Sequence, residues 1–252
     1  SGTVVPKTMT CEGEVLVGDR IAEGFNKFFS SVGSDIAKAI PKSKRKASSF
    51  LEGSTGRRFY FQELCEESIE WYALKLKDKT SVGFDGVSSR IVRRVASTVV
   101  VPICHLFNLS LKTGYTRIPP EFKISRVVPL FKAGKSDEFG NYRPISVIPA
   151  FSKLFEIILN DQIRSYFKCF NLFTNTQFGF RKGSNPTLAV AKFLDAIFKK
   201  QQDISIGIFI DVKKAFDTVD FSILLDKLEF YGFRGVELEL MRNYLIHRYQ
   251  YT

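Results

Sequence analysis

The 252-residue chain carries a net charge of +11, a hydrophobic fraction of 44% and 25 phenylalanines, enough for a sizeable core in one or two domains at roughly 150 residues each. No apolar run approaches the ~20 residues of a membrane span and no signal-peptide pattern opens the sequence, so no membrane partner is expected. Cys11, Cys65, Cys104 and Cys169 lie far apart and there are only two histidines, which speaks against a disulfide framework or zinc site and for a reducing, intracellular setting, nucleus or cytoplasm.

Near the amino terminus, Asp19 is expected to cap a helix whose Ala22, Phe25, Phe29, Val32 and Ile36 form a stripe at helical spacing. Residues 39–58 hold six basic side chains (Lys42, Lys44, Arg45, Lys46, Arg57, Arg58) against one acidic (Glu52). That stretch is rich in Pro, Ser and Gly and reads as a solvated linker rather than an RNA clamp. Ile69, Tyr72, Ala73 and Leu76 mark an amphipathic helix ended by a loop at Gly83 and Gly86. Helices near 88–97 and 99–113 follow, and Pro119-Pro120 breaks the pattern.

Val127, Val128, Leu130 and Phe131 predict one strand and Tyr142 to Ile148 another, with the polar segment 133–140 joining them as an antiparallel hairpin. Residues 112–153 carry eight basic side chains against three acidic, which with a pI near 9.5 points to a polyanionic partner. Residues 150–168 present Phe151, Leu154, Phe155, Ile158, Leu159 and Ile163 on one broad face, a core helix. Gln177 to Gly183 is a loop in which two glycines and Arg181-Lys182 suit close approach to nucleic acid, although turn geometry explains the glycines equally well. Asn185 caps the next helix with Pro186 at its first position, and Leu188, Phe193, Leu194, Ile197 and Phe198 form its expected buried side.

Residues 204–211 alternate with period 2: Ile204, Ile206, Ile208 and Ile210 share one face, Ser205, Gly207, Phe209 and Asp211 the other. Asp211 is thus expected to end a strand facing a cleft, away from an isoleucine core. A carboxylate so placed is a hard oxygen ligand suited to Mg²⁺, or it simply ends the strand. Asp217 or Asp220 reads as the cap of a helix beginning near Phe221.

The neighbouring segments decide for Asp211. "FIDVKKAFDTVDFSILLDKLEFYGFRG" resembles motif A of reverse transcriptases from non-LTR (LINE-type) retrotransposons. "GYTRIPPEFKISRVVPLFKAGKSDEFGNYRPISVIPAFSKLFEIILNDQI" is similar to the family's finger motifs, "LFTNTQFGFRKGSNPTLAV" to the segment before motif A, and "KTSVGFDGVSSRIV" to its amino-terminal motif. The likeness covers about residues 20–252, in family order. It implies an α+β right-hand polymerase fold: an extension and basic linker (1–58), a helical amino-terminal part of the fingers (59–112), then the fingers and first part of the palm (113–252).

The resemblance further implies an RNA-directed DNA polymerase that extends a DNA 3′ end on an RNA template by two-Mg²⁺ nucleotidyl transfer. Asp211 and the Val212 backbone carbonyl would bind metal. Lys132 and Arg143 would clamp the incoming deoxynucleoside triphosphate, one as a mobile point charge and the other through a planar, bidentate guanidinium. Phe216 would lie under its sugar, and Arg126, Gln177, Gly179, Arg181 and Lys182 would contact nucleic acid. Motif C of the family, Tyr-x-Asp-Asp, has no counterpart, since no Asp-Asp pair occurs in the chain. The chain thus reads as a fragment truncated before motif C and the thumb, inactive alone and completed by the rest of a polyprotein in which an endonuclease often precedes the polymerase. A group II intron maturase-type enzyme and a non-catalytic nucleic-acid-binding remnant are the competing readings.

Overall fold

The computed structural model describes residues 6–11, 14–41, 45, 47–51, 56–114, 120–199 and 206–252. Lys42, Lys44, Lys46 and Glu52 of the predicted linker, Arg117, Pro119, Ile204 and Ser205 lie outside the described residues. The chain divides into two compact units, Ser1–Asn160 with Lys214–Thr252, and Asp161–Lys213. Helices and sheets are both present in the first, as an α+β class requires.

In the first unit, β1 (Thr8–Cys11) and β2 (Glu14–Val17) form an antiparallel pair ahead of α1 (Asp19–Ala39). Gly18, not Asp19, occupies the cap position of α1, at φ 57°. Asp19 instead sits in the first turn, where a negative charge complements the helix dipole. The buried stripe is Ile21, Phe25, Phe29 and Gly33, rotated slightly from the expected one but still containing both phenylalanines.

The amphipathic helix predicted around Ile69 is α2 (Glu66–Lys75), with Ile69 and Ala73 buried. The two helices expected over 88–113 are one, α3 (Ser89–Thr113), capped by the Ser88 hydroxyl accepting from the Ile91 amide and closed by Gly114 at φ 69°. Its buried Val92, Ala96, Val100, Cys104, Phe107 and Leu111 keep helical phase straight through residue 98, so nothing in the packing calls for a break. By length and composition α3 is also apolar enough to cross a membrane, contrary to the reading of the sequence. Its apolarity has a different use: that stripe packs with Ile69, Leu76, Leu154, Phe155, Ile158 and Leu240 in one core cluster.

A second sheet orders its strands β4-β3-β5, from β3 (Ile124–Phe131), β4 (Tyr142–Val147) and β5 (Tyr249–Tyr251). The β3–β4 hairpin is antiparallel as predicted, whereas β5 joins β3 in parallel. A second core cluster, Met9, Leu16, Ile21, Phe25, Phe29, Val127, Phe139 and Tyr142, binds α1 to this hairpin. Helix α4 (Ala150–Cys169) matches its predicted span and buries Leu154, Phe155, Ile158 and Leu159. After it come α6 (Phe221–Phe230) and α7 (Val236–Leu245), separated in sequence from α4 by the second unit. Asp220, not Asp217, caps α6: its Oδ1 accepts from the Ser222 and Ile223 amides at 2.8 and 3.2 Å. The Ser222 hydroxyl and those amides hold its carboxyl below the usual range.

Helix α4 is tied to α7 by a half-buried polar cluster. Tyr244 donates to Glu156 Oε1 at 2.8 Å, and Arg248 Nη2 lies 3.5 Å from the same oxygen. Burial raises the Glu156 carboxyl above its ordinary 4.5, outweighing both partners.

The second unit holds α5 (Pro186–Lys199), capped as expected by Asn185, whose Oδ1 accepts from the Leu188 amide at 2.8 Å. Its expected buried side is not buried: Leu188, Phe193, Leu194 and Phe198 are all exposed. The strand expected over 204–211 is also not formed, because residues 206–212 have no ladder partner among the described residues. Apolar residues at both parities, Ile206, Ile208 and Ile210 against Phe209, would need neighbours on both faces of a sheet. Instead Phe209 and Ile210 are 82% and 85% exposed, so no isoleucine core turns Asp211 toward a cleft. Phe193 of α5, at 5.4 Å between ring centroids, is the neighbour that Phe209 does have.

Two outcomes are expected. Backbone amides of residues 206–212 should exchange with solvent without protection while those of β3 are protected, as measured by hydrogen exchange; slow exchange at Ile208 and Ile210 would contradict the unpaired backbone. For Glu156, a carboxyl raised in the folded state supports stability most fully below its ordinary pKa, and that contribution is lost as pH rises through the folded value. Glu156→Gln should therefore flatten the decline of the urea midpoint as pH rises above the ordinary carboxylate range, relative to the unsubstituted chain.

Candidate nucleotide and nucleic-acid site

The register of the hairpin decides which side chains meet. Arg143 pairs with Leu130 and Tyr142 with Phe131. The Lys132 amide donates to the Asn141 carbonyl at 2.9 Å, continuing the ladder one residue beyond β3. With side chains alternating in period 2, Arg126, Val128, Leu130 and Lys132 share one face with Arg143, Ile145 and Val147. The opposite face carries Val127 and Tyr142, which are 2% and 1% exposed. Burial of that face leaves the basic one outward: Val128, Leu130 and Ile145 are exposed and Lys132 and Arg143 flank them at the loop end. Lys132 and Arg143 are diagonal neighbours there, within reach of one polyanionic group.

The loop of the hairpin is held from within. Asn141 Nδ2 donates to the Lys135 carbonyl at 2.9 Å and to Glu138 Oε2 at 3.0 Å, and buried Tyr142 donates to the Ser136 carbonyl at 2.7 Å. The turn-closing roles of Asn141 and Tyr142 were not read from the sequence. Their signal was available, since an Asn-Tyr pair opening a strand after a polar loop suits side-chain closure of a turn. Arg126, paired with Val147 and Tyr251, has a buried Nε with no hydrogen-bond partner.

Phe216 also belongs to the first unit and is 76% exposed. It sits in the turn Lys214–Thr218, which is closed by the Asp217 and Thr218 amides donating to the Lys214 carbonyl at 2.9 and 3.1 Å. Lys214 there has φ 52°, a left-handed conformation that side chains adopt only when surroundings impose it.

The second unit holds the remaining predicted residues. Asp211 and Val212 are exposed. Gln177 Nε2 donates to the Gly179 carbonyl at 3.2 Å and Arg181 Nη1 to the Thr174 carbonyl at 2.7 Å, with the Arg181 guanidinium 5.2 Å from the Phe173 ring centre. Gln177 and Arg181 thus brace their own loop, while Lys182 is exposed. Gly183, at φ 79°, is required by the turn. Gly179 is different: an added Cβ there would meet open space at an ordinary φ.

As metal ligands, Asp211 and the adjoining Val212 carbonyl offer hard oxygens suited to part of an Mg²⁺ shell. Among the described residues no group of three or more His, Cys, Asp or Glu forms a fuller set. A cavity of about 390 Å³ beside Ile21, Ala22, Phe25 and Pro129 contains none of the predicted site residues.

Residues 132–252 match the family described as reverse transcriptase (RNA-dependent DNA polymerase). The chain is 32% identical over 174 residues to a putative 115 kDa protein in the type-1 retrotransposable element R1DM of Drosophila melanogaster, covering 68% of this chain and 16% of that protein. It is 29% identical over 158 residues to the RNA-directed DNA polymerase from the mobile element jockey of Drosophila funebris, covering 61% and 17%. To the probable RNA-directed DNA polymerase from transposon X-element of Drosophila melanogaster it is 26% identical over 160 residues, covering 62% and 17%. The chain thus spans 16–17% of the length of these relatives. Match and relatives agree: residues 132–252 are a reverse transcriptase domain, and the chain is similar over about two thirds of its length to proteins of non-LTR retrotransposons.

Proposed function

We propose that the chain forms the amino-terminal extension (1–58), the helical start of the fingers (59–112) and the fingers with the first part of the palm (113–252) of a right-hand polymerase. The whole protein would extend a DNA 3′ end on an RNA template, using deoxynucleoside triphosphates in a reducing intracellular compartment, with the rest of the polyprotein completing the site. The observation that carries this reading is the outward basic face of the β3–β4 hairpin, whose Lys132 and Arg143 lie among the first residues of the segment that matches the family.

On this reading, Lys132 meets the outer phosphates as a compact charge and Arg143 pairs with phosphate oxygens through two parallel N–H donors. Phe216 lies beneath the sugar, where its ring fills the volume a 2′-hydroxyl needs. Arg126 contacts template backbone. Gly179 lets backbone approach the strand closely, while Gln177 and Arg181 hold that loop in shape and Lys182 adds charge. Asp211 and the Val212 carbonyl would hold Mg²⁺, and the chemistry supplied by two bound ions is activation of the primer 3′-hydroxyl and neutralisation of the leaving pyrophosphate. Similarity to retrotransposon proteins favours this over an intron maturase.

Two expectations test the reading in the complete polymerase. Asp211→Asn should abolish primer extension with Mg²⁺ while circular dichroism stays unchanged, and Arg143→Ala should chiefly raise the KM for nucleotide. Near-normal turnover of Asp211→Asn would leave only a non-catalytic, nucleic-acid-binding role for the segment. Phe216→Val should keep deoxynucleotide incorporation and admit ribonucleotides far more readily, read as the ratio of kcat/KM for the two. An unchanged ratio in a folded, active variant would remove Phe216 from the sugar site.

A further inference from the structure

Helix α1 precedes the residues that match the family and touches both parts of the site in the first unit. At two points it does so with no side chain. A Cβ on Gly24 would sit 2.5 Å from Cζ of Phe139, in the loop of the β3–β4 hairpin. Another on Gly33 would overlap the backbone carbonyl of Asp217, in the turn that carries Phe216. Nine residues along a helix of about 100° per residue place those two glycines on opposite sides of α1. The helix is therefore gripped between the nucleotide-clamping hairpin and the Phe216 turn, and at each grip the spacing is backbone thickness alone.

Phe28 bridges the same two parts through its ring. It stacks with Phe139 at 6.1 Å between centroids, and the Lys214 ammonium lies 5.8 Å from its ring centre. Lys214 is the residue held left-handed, at φ 52°, so the strained turn is anchored through its side chain to α1 as well as through the Asp217 carbonyl against Gly33. A strained turn persists only where its neighbours over-determine it. Here those neighbours are Gly33 and Phe28.

We propose that α1 is a spacer that sets the height of the Phe216 turn relative to the Lys132/Arg143 hairpin, making Gly33 and Phe28 positioning residues for deoxynucleotide selection. This rests on the polymerase reading above. Thickening α1 at Gly33 moves the turn, and with it the sugar floor, without touching any group that meets substrate. Loss of the Phe28 ring releases the Lys214 anchor and lets the turn drift.

The test is steady-state incorporation by the complete polymerase and its Gly33→Ala, Phe28→Leu and Phe28→Tyr variants, with deoxy- and ribonucleotides, alongside melting temperature and primer-template affinity. Gly33→Ala should change the deoxy-to-ribo ratio of kcat/KM and raise the deoxynucleotide KM on the order of tenfold, since sub-ångström to ångström displacements carry costs of this size. Phe28→Leu should shift both in the same direction by less, and Phe28→Tyr should restore them. Primer-template affinity should hold in all three. If Gly33→Ala fails to fold, Phe28→Leu decides. An unchanged ratio and KM in folded Phe28→Leu, or a fall in kcat and melting temperature with no change in the ratio, would reduce α1 to a structural support and overturn the proposal. A parental enzyme unable to extend primers would fail the polymerase reading itself, a distinct result.

Discussion

Everything assigned to the clamp depends on the register of one antiparallel pair. Because side chains alternate in period 2, pairing Leu130 with Arg143 sends Arg126, Lys132 and Arg143 to one face and Val127 and Tyr142 to the other. A slip of one residue would bury the cations and expose the aromatic. What prevents it is the second core cluster: Tyr142 meets Phe25 edge-on at 4.9 Å, and Phe139 meets the same ring at 4.7 Å. Each such aromatic contact adds about 0.5–1.5 kcal/mol beyond the burial itself. The basic face is outward because α1 holds the apolar face in.

That dependence joins the two halves of the first unit. The β3–β4 hairpin supplies charge, the Lys214–Thr218 turn supplies Phe216, and α1 lies against both. The other core cluster, built on α2, α3, α4 and α7, carries none of the predicted site residues and acts as the platform. Its polar tie, Glu156 with Tyr244 and Arg248, joins helices far apart in sequence, and desolvation of the carboxyl makes that tie a net cost in its charged form.

Much of this was legible in the residues. Helix α4 and the hairpin were, because Leu154, Phe155 and Ile158 keep one clear period and the polar 133–140 segment separates two apolar runs. The Asn185 cap was also legible, being local chemistry. The break expected near residue 98 was not real, since the buried stripe of α3 keeps its phase through it and on past the exposed Pro102. The misses at α5 and residues 206–212 have another cause: periodicity reports which face wants cover, and these apolar faces lack it among the described residues. Gly24 and Gly33 were invisible for a third reason. A glycine in a helix reads as a weak position until the backbone pressed against it is known. Motif order, in turn, identified Lys132, Arg143, Asp211 and Phe216 as candidates, but which of them share a face required the register.

The central claim is that the outward face of the hairpin and the Phe216 turn receive one incoming nucleotide. A structure of the complete polymerase with an RNA template, a chain-terminated DNA primer and a deoxynucleoside triphosphate tests it most directly. The account predicts triphosphate oxygens within hydrogen-bond distance of Lys132 and Arg143, the Phe216 ring against the sugar, and the Asp211 carboxylate on a metal ion. A triphosphate bound away from the β3–β4 hairpin, or a Phe216 ring packed into protein and remote from the sugar, would contradict it.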